Sequence, residues 1–458
     1  MPNTTQQDLE QIISKQRQFF AAHQTKDLKF RRTQLKRLKQ MILDNEKAIA
    51  EALYKDLHKS YEEAYLTEIS IVLQEIDQHL KNLDRWAKPE RVVSPIALLP
   101  SSSYMYKEPL GVTLIISPWN YPFQLLLNPL VAAISTGCTA VLKPSPYVKH
   151  FEALIVKLIG ETFDPKYIAI TSGGREVNQL LLAERWDFIF FTGSPYLGKI
   201  VMKAAAEHLT PVVLELGGKS PCIVDQSANV KVAANRIVWG KLMNAGQTCI
   251  APDYLFVHQS VKAQLIEEIK KAITKQYGDD LKTSKIYPRI VTSANVERLK
   301  GLMKDGTIVA GGSVDEDEKF IEPTLIDDVK PDSPIMQQEI FGPLLPIMTF
   351  ETIDTALDYI NSHEKPLAFY YFGKNKSAED VLRRSTSGGG CINDTLMHIA
   401  NHHLPFGGVG NSGMGLYHGK ESFNAFSNRR SIVKTPTWID LPLKYAPFKY
   451  FKLVKKLL

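Results

Sequence analysis

Glycine and proline are missing from a long opening stretch: the first glycine is Gly111, and neither residue occurs between Pro2 and Pro89. Tight turns draw on these residues, so a turn-rich β architecture is excluded there. Cysteine is scarce as well. Four in a chain of 458 residues cannot build a disulfide framework, which points to a reducing, cytoplasmic setting. Neither sign of charge dominates: a net +6 is small for this length and argues against a nucleic-acid binder. No window approaches the roughly 18–20 apolar residues that span a bilayer. The opening MPNTTQQDLE has no basic segment followed by an apolar one, so no secretory signal is expected. Also absent is a Gly-x-Gly-x-x-Gly after a strand-like run, the usual dinucleotide fingerprint.

What is present suits a soluble enzyme, with 44% hydrophobic and 23% charged residues. The length exceeds what one compact core accommodates, so two or three domains are expected. Residues 27–85 are rich in Leu, Ile, Lys, Glu and Gln, with Leu35, Leu38 and Ile42 at helical spacing. They read as packed helices with polar outer faces. Pro89, Pro95 and Pro100 then punctuate a loop or short edge hairpin ending at Ser101-Ser102-Ser103.

From Gly111 the texture changes. Apolar strand-like runs at 112–116, 139–142, 168–170, 188–191 and 212–214 alternate with helical stretches at 125–134, 151–162, 177–183 and 197–208. Strands apolar throughout imply a parallel sheet covered on both faces, with ligands at its carboxyl edge. A second block carries strand-like runs at 222–224, 254–257, 308–310, 345–350 and 367–372, and helices at 230–243 and 261–277. Two α/β domains are therefore predicted, joined near residues 215–218.

The chemistry starts from Asn244-Ala-Gly-Gln-Thr-Cys249. Most free cysteines are buried and inert, and Cys138, Cys222 and Cys391, within or beside apolar runs, fit that description. Cys249 instead follows small and polar residues after a predicted helix, where a side chain can face a cleft. At an ordinary pKa of about 8.5 only a few per cent is thiolate near neutrality, so an electropositive setting or a nearby base is expected. Glu215, at a strand's carboxyl end beside Leu214 and Leu216, is the candidate base, its pKa raised by apolar surroundings. By itself such a glutamate is more often a surface residue or helix cap. Asn120, in the turn Pro118-Trp119-Asn120, is either a helix cap or an amide donor to a developing oxyanion. Phe190-Phe191-Thr192-Gly193-Ser194 runs from a strand into a helix with Gly198 in its first turn, a weak signal for pyrophosphate at a helix N-terminus. Lys143-Pro144-Ser145 adds a cation on the same sheet edge.

Together these stretches resemble the aldehyde dehydrogenase superfamily over nearly the whole chain. The matching segments, in family order, are Pro118-Trp119-Asn120, Lys143-Pro144-Ser145, Phe191-Thr192-Gly193-Ser194, Glu215-Leu216-Gly217-Gly218, Gly246-Gln247-Thr248-Cys249 and Glu339-Ile340-Phe341-Gly342-Pro343. Cys249-Ile250-Ala251-Pro252-Asp253-Tyr254 and Leu404-Pro405-Phe406-Gly407-Gly408-Val409-Gly410 look like the class 3 branch, which holds fatty and aromatic aldehyde dehydrogenases and short bacterial relatives. The early start of the helical region agrees.

The resemblance implies a Rossmann-like parallel-sheet cofactor domain, a second α/β catalytic domain and a small β bridging and oligomerisation element. Residues 1–82 and 104–214 would form the first with its N-terminal helices, 215–398 the second, 83–103 and 399–435 the third, and 436–458 a basic amphipathic tail. It implies oxidation of apolar aliphatic or aromatic aldehydes to acids with NAD and/or NADP, without a metal. Cys249 would attack the aldehyde, Asn120 and the Cys249 N–H would hold the oxyanion, and Glu215 would activate water. Glu339 would bind the nicotinamide ribose with Phe341 packing nearby, and Lys143 the adenosine ribose. Gly193, Ser194, Pro195, Tyr196, Leu197 and Gly198 would lie along the pyrophosphate, and Ser117, Trp119 and Ser145 also join the cofactor set. A homodimer is expected through 83–103 and the segment after Ile399.

One position departs from the family pattern. Many relatives carry a glutamate after Lys-Pro-Ser; here it is Pro146, which neither bonds a 2′-hydroxyl nor repels a 2′-phosphate. NADP is therefore expected to be accepted comparably to NAD, unless Pro146 merely starts a helix. In the tail, Lys449, Lys452, Lys455 and Lys456 stand among Phe448, Tyr450, Phe451, Leu453 and Val454. This reads as an amphipathic helix that touches anionic membrane peripherally or guards the tunnel, against a mobile or partner-packed tail. Two other functions compete with this reading. A non-catalytic scaffold is disfavoured by retention of Cys249, Asn120 and Glu215. Transfer to coenzyme A is disfavoured because relatives that use it generally lack the glutamate.

Overall fold

The structure, a computed structural model, describes residues 3–457. Met1, Pro2 and Leu458, the last residue of the predicted tail, lie outside the described residues, as do the side chains of Leu453 and Leu457. Among the described residues the chain forms two large, mostly parallel sheets and a three-stranded antiparallel one.

The first sheet runs in the order Gly413–Met414, Val212–Leu216, Phe188–Gly193, Val112–Ile116, Thr139–Lys143, Ile168–Ile170. Every pairing is parallel except that of Gly413–Met414, which runs antiparallel to Val212–Leu216. All five residues of Val112–Ile116 and of Thr139–Lys143 are buried, as strands covered on both faces must be. One face is covered by the helix Pro122–Thr136, itself buried at every residue and packed against the helices Leu28–Leu57 and Ser70–Ala87. Leu28–Leu57 has the expected period: Leu35, Leu38, Ile42, Ile49 and Leu53 are wholly buried, and Asp27 caps its start by accepting the Lys29 N–H. Full burial of each such leucine or isoleucine is worth roughly 1.5–3 kcal/mol, so the helical region is an integral wall of the core.

The second sheet runs Thr307–Ala310, Thr324–Asp327, Leu344–Phe350, Tyr254–His258, Pro221–Val224, Ala368–Phe372, Gly389–Ile392, with only the first strand antiparallel. Glu90–Val92, Ser102–Pro109 and Ser427–Lys434 form the third sheet. Its central strand crosses the 103/104 boundary expected from sequence.

The strand read at 212–214 extends to Leu216, so Glu215 lies inside it. There it is held between Thr192 on one neighbour and Gly413 on the other. The partner comes from the far end of the chain and has only two residues, too short to announce itself. Gly389–Ile392 escaped notice because paired glycines mask a strand pattern. The tail also differs: its helix spans only Phe451–Leu457, because Pro442 and Pro447 interrupt the segment before it.

Candidate active site

The turn that carries Cys249 begins where the helix Val230–Leu242 ends. Asn244 and Ala245 take left-handed backbone angles (φ +52° and +51°), and Gly246 follows at +75°. Asparagine tolerates this region, but alanine is held there at a cost of about 1 kcal/mol or more. Surrounding bonds impose it. The Asn244 N–H donates to Glu63 Oε1 at 2.7 Å, and its side-chain amide donates to the Asn120 carbonyl at 2.8 Å. Gln247 Nε2 donates to the carbonyls of Asn244 and Arg289, each at 3.0 Å, and Gln247 Oε1 accepts the Val291 N–H at 3.0 Å. At Gly246 a Cβ would stand 2.2 Å from the Gly342 carbonyl oxygen, so only glycine lets the cysteine turn and the 339–343 loop meet.

Cys249, half-buried, opens onto a cavity of about 990 Å³ shared with Asn120, Glu215, Glu339, Phe341 and Trp119. Its sulfur faces the backbone N–H groups of Cys249 and Ile250, but burial and the acids Glu339 and Glu215 push the thiol well up. Of the two expected settings, an electropositive one or a nearby base, the first is not provided by the protein's own side chains. Asn120 is buried, its Nδ2 donating one hydrogen to the Gln247 carbonyl at 3.0 Å. The second amide hydrogen remains for a ligand.

Glu215 is only 3% exposed, and both carboxyl oxygens lack a hydrogen-bond partner among the described residues. Burial alone raises its pKa well above the usual carboxylate range, in the direction expected from its apolar neighbours. Opposite it, Glu339 closes on Gly217, where a Cβ would lie 2.2 Å from Glu339 Oε2. Its pKa is raised to about 8, chiefly by burial and then by Asp253. The loop is anchored at the next residue: the Ile340 N–H donates to Asp253 Oδ1 at 3.0 Å, and Arg298 donates to the Ile340 carbonyl at 2.6 Å. Phe341 (φ +50°) stands edge-on to Trp119 with ring centroids 5.4 Å apart.

Of the residues expected to meet a dinucleotide, Trp119, Gly193, Ser194, Glu339 and Phe341 line this cavity. Ser117, Lys143 and Ser145 do not line it; they stand at or just beyond the carboxyl ends of Val112–Ile116 and Thr139–Lys143. Pro195, Tyr196, Leu197 and Gly198 form the first turn of the helix Pro195–Ala206, with the Tyr196 and Leu197 side chains exposed. The two glycines have a packing reason of their own: a Cβ would lie 2.5 Å from the Phe191 ring at Gly193 and 2.6 Å from Leu216 at Gly198. Missed from sequence were Glu63, Gly217 and Tyr121, whose hydroxyl meets Thr248 Oγ1 at 2.6 Å, together with the Gly246–Gly342 approach. Gly217, Gly246 and Gly342 lay in stretches already singled out; Glu63 and Tyr121 did not.

A parallel sheet with a ligand edge, facing a second α/β unit that presents one cysteine into a shared cleft, defines a cofactor-using enzyme with a thiol nucleophile. The chain belongs to the aldehyde dehydrogenase family, whose model matches residues 1–432. It is 49% identical over 451 residues to a 4,4′-diaponeurosporen-aldehyde dehydrogenase of Staphylococcus aureus, covering 98% of each. It is 45% identical over 422 residues to a rat aldehyde dehydrogenase described as dimeric and NADP-preferring, covering 92% of this chain and 93% of that one. Among solved structures, the substrate-bound state of Staphylococcus aureus AldH superposes with a TM-score of 0.96 at 48% identity, covering 98% of this chain and 99% of that one. The protein is thus an NAD(P)-dependent aldehyde dehydrogenase related to bacterial and family 3 members.

The residues present fit a dinucleotide. Ser117 Oγ, Thr192 Oγ1 and Glu339 Oε1 are buried without a partner among the described residues, polar atoms that a ligand would satisfy. The Lys143 ammonium bonds the Pro144 carbonyl at 2.6 Å, and burial lowers its pKa to about 8. No group of three or more metal-ligating side chains occurs among the described residues, and no helix among them is long and apolar enough to cross a membrane.

Proposed function

We propose that Cys249, Asn120 and Glu215 carry the reaction, on the observation that they share one cavity although they lie far apart in sequence. Cys249 gives up its thiol proton to water in the cavity, and the thiolate adds to the aldehyde carbon, forming a C–S bond and an oxyanion. That oxyanion accepts hydrogen bonds from the free Asn120 amide hydrogen and the Cys249 N–H, donors typically worth about 10²–10³ in rate each. Bound NAD(P)⁺ would supply the acceptor for the hydride that this carbon gives up. The thioester left on Cys249 is attacked by a water whose proton passes to the Glu215 carboxylate, and the acid departs as the thiolate re-forms. Glu339 and Lys143 would hold the nicotinamide and adenosine riboses. Ser117, Trp119, Ser145, Phe341 and the 193–198 turn complete the cofactor surface.

The substrate is an apolar aliphatic or aromatic aldehyde, in the manner of the class 3 branch. The wall leading to Cys249 includes Leu66, Ile71, Trp239, Met243, Tyr277 and Ile399, and burying a long chain against it is favourable by about 25 cal/mol per Å². The relative named for 4,4′-diaponeurosporen-aldehyde supports this reading. A panel of aliphatic and aromatic aldehydes, followed by NAD(P)H absorbance and acid analysis, tests it. kcat/KM should rise with chain length; a preference for short polar aldehydes overturns it.

The dimeric, NADP-preferring relative supports use of NADP and a homodimer, which would form through 83–103 and the segment after Ile399. Val93, Ile96 and Leu99 there are largely exposed in the single chain. The expected setting is cytoplasmic, with peripheral membrane contact through the tail.

A further inference from the structure

Two buried charges stand beneath the oxyanion turn and belong to none of the roles above. Lys59 and Glu68 are each wholly enclosed, with Lys59 Nζ 2.5 Å from Glu68 Oε1. A buried ion pair is rarely more stable than apolar residues of the same volume, so its remaining bonds are informative. Lys59 Nζ donates to the Asn120 carbonyl at 3.1 Å and lies 4.2 Å from the centre of the Tyr121 ring. Glu68 Oε2 accepts the N–H groups of Phe123 and Gln124 at 2.8 and 3.3 Å. These are first-turn donors of the helix Pro122–Thr136, where Pro122 has no N–H and Tyr121 makes no side-chain cap.

Among the described residues, every bond from the two side chains to main chain thus falls on residues 120–124. The Asn120 carbonyl takes a second donor from Asn244 Nδ2 at 2.8 Å, which fills both of its lone pairs. With backbone and first helical turn both held, the Asn120 amide has a fixed origin from which to reach Gln247 and the cavity. The neighbouring Glu63, from the same short segment, holds the cysteine turn through the Asn244 N–H. Segment 59–68 therefore grips both halves of the reacting centre, and Glu68 sits in a π-helical turn, Tyr65–Ile69, that interrupts the surrounding helices. Such irregular turns recur at functional sites.

We infer that Lys59 and Glu68 are positioning residues that set the Asn120 amide for oxyanion capture, touching neither substrate nor cofactor. This rests on the assignment of Asn120 as oxyanion donor. A displacement of about 1 Å at such a donor can cost on the order of 10²-fold in rate.

The test is a double-mutant cycle on the full-length enzyme: Lys59→Met, Asn120→Ala and the pair together, read by single-turnover NAD(P)H formation. Iodoacetamide alkylation of Cys249 and thermal melting, both without cofactor, report the integrity of the cysteine turn and the fold. Lys59→Met should slow the single turnover at least tenfold in the parent, with KM for the cofactor and the alkylation rate within twofold. In the Asn120→Ala background the same change should alter the rate less than twofold. An equal loss in both backgrounds, or a folded Lys59→Met enzyme of undiminished rate, overturns the inference and leaves the Asn120 assignment intact. If Asn120→Ala alone turns over like the parent, the oxyanion assignment fails and the inference falls with it. Should Lys59→Met not fold, Glu68→Gln enters the same cycle with the same criteria.

Discussion

At the scale of single residues the site is a set of carboxyl groups kept out of water around one thiol. Glu215 must be ionised to take a proton from water, yet its burial without a partner favours the neutral form. kcat should therefore climb as pH rises through its elevated pKa. Glu215→Gln should abolish that limb and leave a burst of one NAD(P)H per active site, because the thioester forms but is not hydrolysed; stopped-flow absorbance shows it, and steady turnover at parental rate would exclude Glu215 as the base. Pro146 is a second residue-scale case. Half-buried just beyond Thr139–Lys143, it offers no carboxylate to the adenosine side. Parent enzyme should show kcat/KM for NADP within about tenfold of that for NAD, roughly 1.4 kcal/mol, and Pro146→Glu should shift the ratio toward NAD. An overwhelming parental preference for NAD would remove the idea.

Among elements, the most demanding contact is between two loops. The cysteine turn and the 339–343 loop approach so closely that Gly246 cannot carry a Cβ without meeting the Gly342 carbonyl, and its φ of +75° disfavours one as well. Gly246→Ala should cost about 1–3 kcal/mol through strain and displacement. Because the loops carry Cys249 and Glu339, KM for the cofactor should rise along with the fall in melting temperature. A variant that melts and binds like the parent contradicts this account. The tail tests an element of another kind. Trp438, Phe448 and Phe451 are mostly exposed, and Lys452, Lys455 and Lys456 follow on a short helix that touches Ile96–Leu98. Full-length protein should co-sediment with anionic vesicles more than a 1–443 truncation does. Equal binding dismisses the membrane reading.

For the molecule as a whole, enclosing acids between two domains couples stability to pH. Glu339 rises from an unfolded value of 4.5 to about 8 in the folded chain, so the folded state holds its proton more tightly. Its contribution is fully present below pH 4.5 and is lost as pH climbs through about 8, the direction linkage requires. The melting temperature of the cofactor-free enzyme should decline across that window, and Glu339→Gln should flatten the decline. An unchanged slope would show that Glu339 is not enclosed as described.

Much of this organisation was legible before any coordinates. The strands Val112–Ile116 and Ile168–Ile170 were read to the residue, because a strand covered on both faces is apolar at every position and needs no partner to be recognised. Cys249, Asn120 and Glu215 stand in short segments whose composition matches a family pattern. What stayed hidden depends on contacts between distant segments. Gly413–Met414 completes the Glu215 strand from 198 positions away (413 − 215), and Lys59 and Glu68 look like ordinary charges on helical surface. The amino-acid order by itself determined which segments become strands and helices, and which side chains can perform acyl chemistry, since both follow from local pattern and residue type. Only the tertiary structure decided that the three would face one cavity, that Glu339 would join Glu215 in burial there, and that a buried ion pair would underlie the asparagine. Burial and convergence are properties of packed surfaces, and no local window of sequence contains them.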